Sequence, residues 1–172
     1  MHNCLISGGF NMRLSGGKLT GMTVLFLCAA NAFAVTTNIK NFAELVSAVE
    51  NGNDVKAIIH YDKCTSKQRV ANFVEYTGSS GRLNFDRFSH YKVTVGNEVK
   101  ETVATSTTMS IEHPNGVMSN DYARLRIYAD TTADFHVTYN DPLTNKSTFT
   151  MDLACSFSAN PEQSAIVLFA SN

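Results

Sequence analysis

No stripe of basic residues runs through this 172-residue sequence, in which 14 Lys and Arg stand against 15 Asp and Glu. That balance excludes a phosphate-tracking groove for nucleic acid and a polybasic face for anionic membrane. Apolar runs are short as well. Leu19 to Ala30, LTGMTVLFLCAA, is 12 residues, and a membrane-spanning helix needs ~20. No G-x-S-x-G elbow, P-loop, H-E-x-x-H or G-x-G-x-x-G pattern occurs, so hydrolase, nucleotide, metal and cofactor chemistry have no motif to rest on. Nor is there an internal repeat, a low-complexity tract or an interdomain linker. With the length, this points to one domain.

What is present begins with a leader. Met12-Arg13-Leu14-Ser15-Gly16-Gly17-Lys18 is short and positive, the apolar run follows, and Ala32-Phe33-Ala34 closes it. Those are the three parts of a secretory signal in order. The expectation is a signal peptide over 1–34, with Met12 as the true start and cleavage between Ala34 and Val35. A buried core helix over 19–34 is the competing reading, but its caps are missing. A lipoprotein signal fits less well, because Leu27 precedes Cys28 where a small residue belongs. The protein is therefore expected to be exported, periplasmic or secreted, with no stable membrane span after cleavage.

Cleavage leaves 35–172 as a single domain of 138 residues, with 12 basic residues against 15 acidic ones. A chain of that size buries roughly two thirds of its unfolded surface. Cys4 and Cys28 leave with the leader, and Cys64 and Cys155 remain. Two thiols in an exported protein predict a disulfide. Closing a loop of about 90 residues is worth at most roughly 4–5 kcal/mol in the chain-entropy account.

Along the domain, NFAELVSAVENG spaces Phe42, Leu45, Val46 and Val49 for a helix. Asn41 is its cap, Glu44 the capping-box partner and Gly52 the stop. Val55 to Tyr61 reads as a strand. The 65–90 segment suggests a strand at 70–76, a Gly/Ser turn at 78–81 and a short helix at 83–88. Beyond it, Val99, Val103, Met109 and Ile111 alternate with polar residues, and HPNG at 113–116 is a turn. Tyr122 to Ala129, Phe135 to Tyr139 and Phe149 to Phe157 predict three strands joined as an antiparallel meander. AIVLF, 165–169, makes a last buried strand.

The stretch AIIHYDKCTS, 57–66, gathers the residues able to do chemistry. On an extended chain His60, Asp62 and Cys64 share one side. The spacing matches no zinc site and lacks a fourth ligand, so metal is not expected. A Cys64–histidine nucleophile pair would need the thiol that the disulfide consumes. His60 and Asp62 remain as catalytic candidates, an acid/base pair for a small secreted hydrolase. The aromatic residues Phe73, Tyr76, Phe85, Phe88 and Tyr91 read as sheet cover. Arg124 and Arg126 share a polar strand face, where cross-strand acids are their expected partners.

The order FAELVSAVENGNDV, KAIIHYDKC, KETVATSTTMSI, RLRIYADTTADFHVTYNDP and DLACSF resembles the VirK family of bacterial secreted proteins, over about residues 39 to 170. The resemblance implies an exported protein associated with virulence regions of host-associated bacteria, and agrees with keeping Cys64 and Cys155. It brings no catalytic residues and no cofactor. The expected fold is α+β: an N-terminal helix packed on a twisted antiparallel sheet or partial barrel, stapled by Cys64–Cys155. The expected function is a binding or interaction protein with an accessory role in virulence, its partner a protein or small ligand. The alternatives are the His60/Asp62 hydrolase and a structural or chaperone-like envelope protein.

Overall fold

The computed structural model describes residues 36–67, 78–113 and 116–171. In chain order these form β1 (Thr36–Ile39), α1 (Phe42–Glu50), β2 (Asp54–His60), β3 (Thr65–Ser66), β4 (Ser80–Asn84), β5 (Phe88–Val95), β6 (Glu98–Glu112), β7 (Met118–Tyr128), β8 (Thr132–Asn140), β9 (Ser147–Ser156) and β10 (Ile166–Ser171). A 3₁₀ turn, Tyr61–Lys63, follows β2. The strands make two sheets, of order β1-β10-β2-β4 and β3-β9-β8-β7-β6-β5. All of their strand pairings are antiparallel.

The α+β expectation is thereby corrected toward a mostly β fold, with two sheets where one sheet or a partial barrel was expected. The missing strands are short or share their signal with loops. The helix predicted at 83–88 is instead the end of β4 and the start of β5. Leu83 and Phe85 are buried while Arg82, Asn84 and Asp86 are exposed, a period of two that holds the chain extended. Of the 78–81 turn, Gly78 turns with φ +72°, but Ser80 and Gly81 already pair with β2. The strand expected at 70–76 lies outside the described residues.

Elsewhere pattern and structure agree. Asn41 caps α1 by accepting from the Glu44 amide at 2.9 Å, and the Glu44 carboxylate accepts from the Lys40 amide at 2.7 Å. Gly52 follows with φ +77°, the left-handed stop that a glycine takes without strain. The meander strands β7 to β9 pair in the expected order and β6 joins them at β7, while β5, which the sequence pattern did not mark as a strand, adds to β6. The helix contributes Phe42, Leu45, Ala48 and Val49 to the same buried cluster as Val55, Ala57 and Ile59 of β2 and Leu125, Phe135 and Leu153 of the second sheet. That cluster is the core between the sheets. Cys64 and Cys155 form a disulfide across 91 residues, joining the chain just beyond β2 to the inward row of β9.

Candidate functional site

The stretch that gathered the chemistry does not assemble it. β2 ends at His60, and the 3₁₀ turn then breaks the extended phase, so His60, Asp62 and Cys64 share no strand face. Asp62 is exposed, Cys64 is in the disulfide, and no hydrogen bond or ion pair joins His60 to Asp62. Among the described residues no three His, Cys, Asp or Glu side chains converge as metal ligands would.

A different constellation lies at the far end of β7. Its inward row runs Ser119, Asp121, Ala123, Leu125, Ile127, all buried. The hairpin between β6 and β7 closes through the Gly116 amide on the His113 carbonyl at 2.8 Å and the His113 amide on the Val117 carbonyl at 2.9 Å. This turn holds His113 over the row. Ser119 Oγ donates to Asp121 Oδ1, and His113 Nε2 lies 2.7 Å from the same Oγ. A hydroxyl has one proton, and Asp121 takes it, so Nε2 carries a hydrogen and donates to Ser119.

Ser, His and Asp together invite comparison with a hydrolytic triad, and the geometry separates them. A triad serine gives its proton to the imidazole, and the carboxylate holds the opposite ring nitrogen. Here the serine receives from the imidazole, and Asp121 Oδ1 lies 3.9 Å from the same Nε2. The cluster is a relay from the half-buried His113 to the buried Ser119 and Asp121, suited to orienting a polar atom rather than to attacking a carbonyl.

The relay stands at the junction of two cavities. One, of about 500 Å³, is walled by His113, Val117, Met118, Ser119, Tyr139 and Phe149. Its aromatic side is a ladder, with Tyr139 centred 4.9 Å from both the His113 and Phe149 rings. The other, of about 230 Å³, runs between the sheets, from Ile59, Tyr61 and Gly81 on one side to Asp121, Ala123 and Phe135 on the other. Tyr139 borders both. Tyr61 stacks on Phe135 with ring centroids 5.4 Å apart, and its hydroxyl occupies the space a Cβ at Gly81 would need. Met109, Val117 and Met118 leave apolar surface exposed at this end.

Residues 38–145 match the family described as VirK protein. The chain belongs to the VirK family. Its fold is similar to the crystal structure of a VirK family protein from Legionella pneumophila, with a TM-score of 0.55 and 14% identity over 76% of this chain and 97% of that one. No curated protein matches the chain. The matched VirK segment contains His113, Ser119, Asp121 and Tyr139, the core of the cleft, and ends before Cys155.

Sequence reasoning missed Ser119 and Asp121 because it began the strand at Tyr122. Stepping back by twos from Leu125 and Ile127 reaches Ala123, Asp121 and Ser119, two polar residues in an apolar row. That misplaced polarity is the signal that marks them.

Proposed function

We propose that this VirK family member is an exported ligand-binding protein with an accessory role in virulence. Its cleft between the sheets takes the apolar part of a ligand, and the His113–Ser119–Asp121 relay orients the polar part. The observation that carries this reading is the position of the relay: buried Ser119 and Asp121, hydrogen-bonded with the half-buried His113, at the junction of two largely apolar cavities. Ligand sites have this composition, an apolar wall with a few placed polar groups. Among the described residues no helix is long and apolar enough to cross a membrane.

Export is part of the proposal. The signal-like leader over 1–34 and a disulfide that persists in an oxidising compartment both support it. Removal of the leader between Ala34 and Val35 leaves the single VirK domain, 35–172. Mass measurement of the protein recovered from the bacterial periplasm or medium is expected to give a chain beginning at Val35 with no free thiol. A chain retaining residues 12–34, or two reactive thiols before reduction, would contradict export by this route. For the cleft, soaking the protein with a mixture of lipid extracts and analysing what co-purifies is expected to return a bound apolar compound. Asp121→Asn is expected to reduce it.

A further inference from the structure

The outer face of the six-stranded sheet carries a second feature, away from the cleft. On β7, Arg124 and Arg126 alternate outward between the buried Ala123, Leu125 and Ile127. Each stands beside an acid or its holder across the strands: Arg126 opposite Asp134, Arg124 opposite His136, which is itself opposite Asp152. Cross-strand neutralisation is the expected outcome there, and it does not occur. Asp134 is taken by Lys67 Nζ and by the Tyr128 hydroxyl at 2.9 Å. Asp152 accepts from His136 Nδ1 at 2.7 Å. Arg126 approaches the Tyr128 hydroxyl, yet its Nε is buried with no hydrogen-bond partner. Arg124 forms no ion pair among the described residues, and its Nε is buried with no hydrogen-bond partner. A buried guanidinium N–H left without an acceptor is costly unless something else accepts from it.

Arg124 lines a surface cavity of about 230 Å³ with Arg87, Ser89, Tyr91 and Ser106. The topology builds it. β5 begins at Phe88 opposite Thr105, so β6 loses its neighbour at Ser106, and Arg124 is the β7 residue paired with Ser106. Thr105 Oγ1 holds the approach to β5 by donating within reach of two carbonyls, Asn84 at 2.8 Å and Arg87 at 2.9 Å. That fixes the backbone from which Arg87 extends. Two arginines and the hydroxyl residues Ser89, Tyr91 and Ser106 thus line one hollow, drawn from three strands and a loop. Among the described residues no carboxylate lines it.

We infer that this hollow is a binding site for a tetrahedral oxyanion, a phosphate or sulfate group carried on a ligand, with Arg124 and Arg87 as its principal donors. Donors arriving from several directions suit a tetrahedral anion better than a planar carboxylate, and arginine forks give charge-assisted bonds of the stronger kind. The site is independent of the cleft and of the reading proposed for it.

The test is titration of the disulfide-intact protein with inorganic phosphate and, separately, sodium sulfate at constant ionic strength, followed by the arginine Nε–H NMR signals. A saturable shift of the Arg124 signal is expected. Arg124→Gln and Arg87→Gln are each expected to weaken binding by about tenfold or more, the loss of one charge-assisted hydrogen bond. Lys146→Gln, on a distant hairpin, is expected to change nothing. Arg87 is exposed, so its variant reports on binding even if Arg124→Gln is poorly folded. Tighter phosphate binding supports a phosphate-ester ligand and tighter sulfate binding a sulfate ester. No saturable response to either anion, or equal binding by wild type and both arginine variants, would overturn the site.

Discussion

At the scale of single residues, Asp121 matters most. It is the acceptor that ends the relay, and without it the buried Ser119 hydroxyl loses the partner that takes its proton. Asp121→Ala is expected to lower stability by about 1–3 kcal/mol, the cost of leaving such groups unmet, as measured by urea unfolding. Gly81 is the second such residue. A methyl there meets the Tyr61 hydroxyl, and the stacking of Tyr61 on Phe135 restricts where that ring can go. Gly81→Ala is expected to cost about 1–3 kcal/mol as overpacking does, and an unchanged midpoint would show that Tyr61 yields freely. Neither residue stands out in the sequence, because each draws its role from a neighbour on another strand. Cys64 and Cys155 were legible, since counting thiols after removing a leader leaves only one pairing. His60 and Asp62 were the weaker candidates, since their pairing needs an extended phase that the Tyr61–Lys63 turn interrupts.

At the scale of elements, the helix was readable from its cap, its apolar spacing and its terminal glycine, all of them local. So were the meander strands, whose alternation is long enough to count. β1, β3, β4 and β5 were not: the first three, of two to five residues, carry too few alternations, and β5 buries none of its side chains fully and so shows no apolar row. One contact between elements makes a pH-dependent prediction. His90 on β5 bridges Glu50, at the end of α1, and Glu101 on β6, each at 2.8 Å. The hydrogen bond His90 donates to Glu50, aided by Glu101 against the effect of burial, raises the His90 pKa above its ordinary 6.5. The bridge therefore adds stability fully below pH ~6.5, the unfolded value, and loses it as pH rises through the higher folded value. His90→Gln is expected to lower the melting temperature most at pH 5–6, by the equivalent of about 0.5 kcal/mol for a partly exposed pair, and less above neutral pH. An equal deficit at all pH values would mean that His90 acts by packing on Phe42 alone.

At the scale of the whole molecule, two sheets close on one core, and the disulfide ties the chain after β2 to β9. Replacing both cysteines with serine is expected to cost about 2–5 kcal/mol. The sheets part at one end, where the cleft opens beside the β6–β7 hairpin. The family resemblance was legible in the sequence; the cleft was not, since it depends on how the β2–β4 edge meets the row of β7. The most direct test of the account fills that space. Ala123 is buried and lines the inner cavity, so Ala123→Phe occupies it. Titration with a fluorescent apolar probe bearing a hydrogen-bonding head group is predicted to show one saturable site in the wild-type protein. It is predicted to show none in an Ala123→Phe variant that retains its disulfide and a cooperative melt. Equal binding by the two proteins, or no saturable binding by the wild type, would contradict the proposal that this cleft is where the protein binds its ligand.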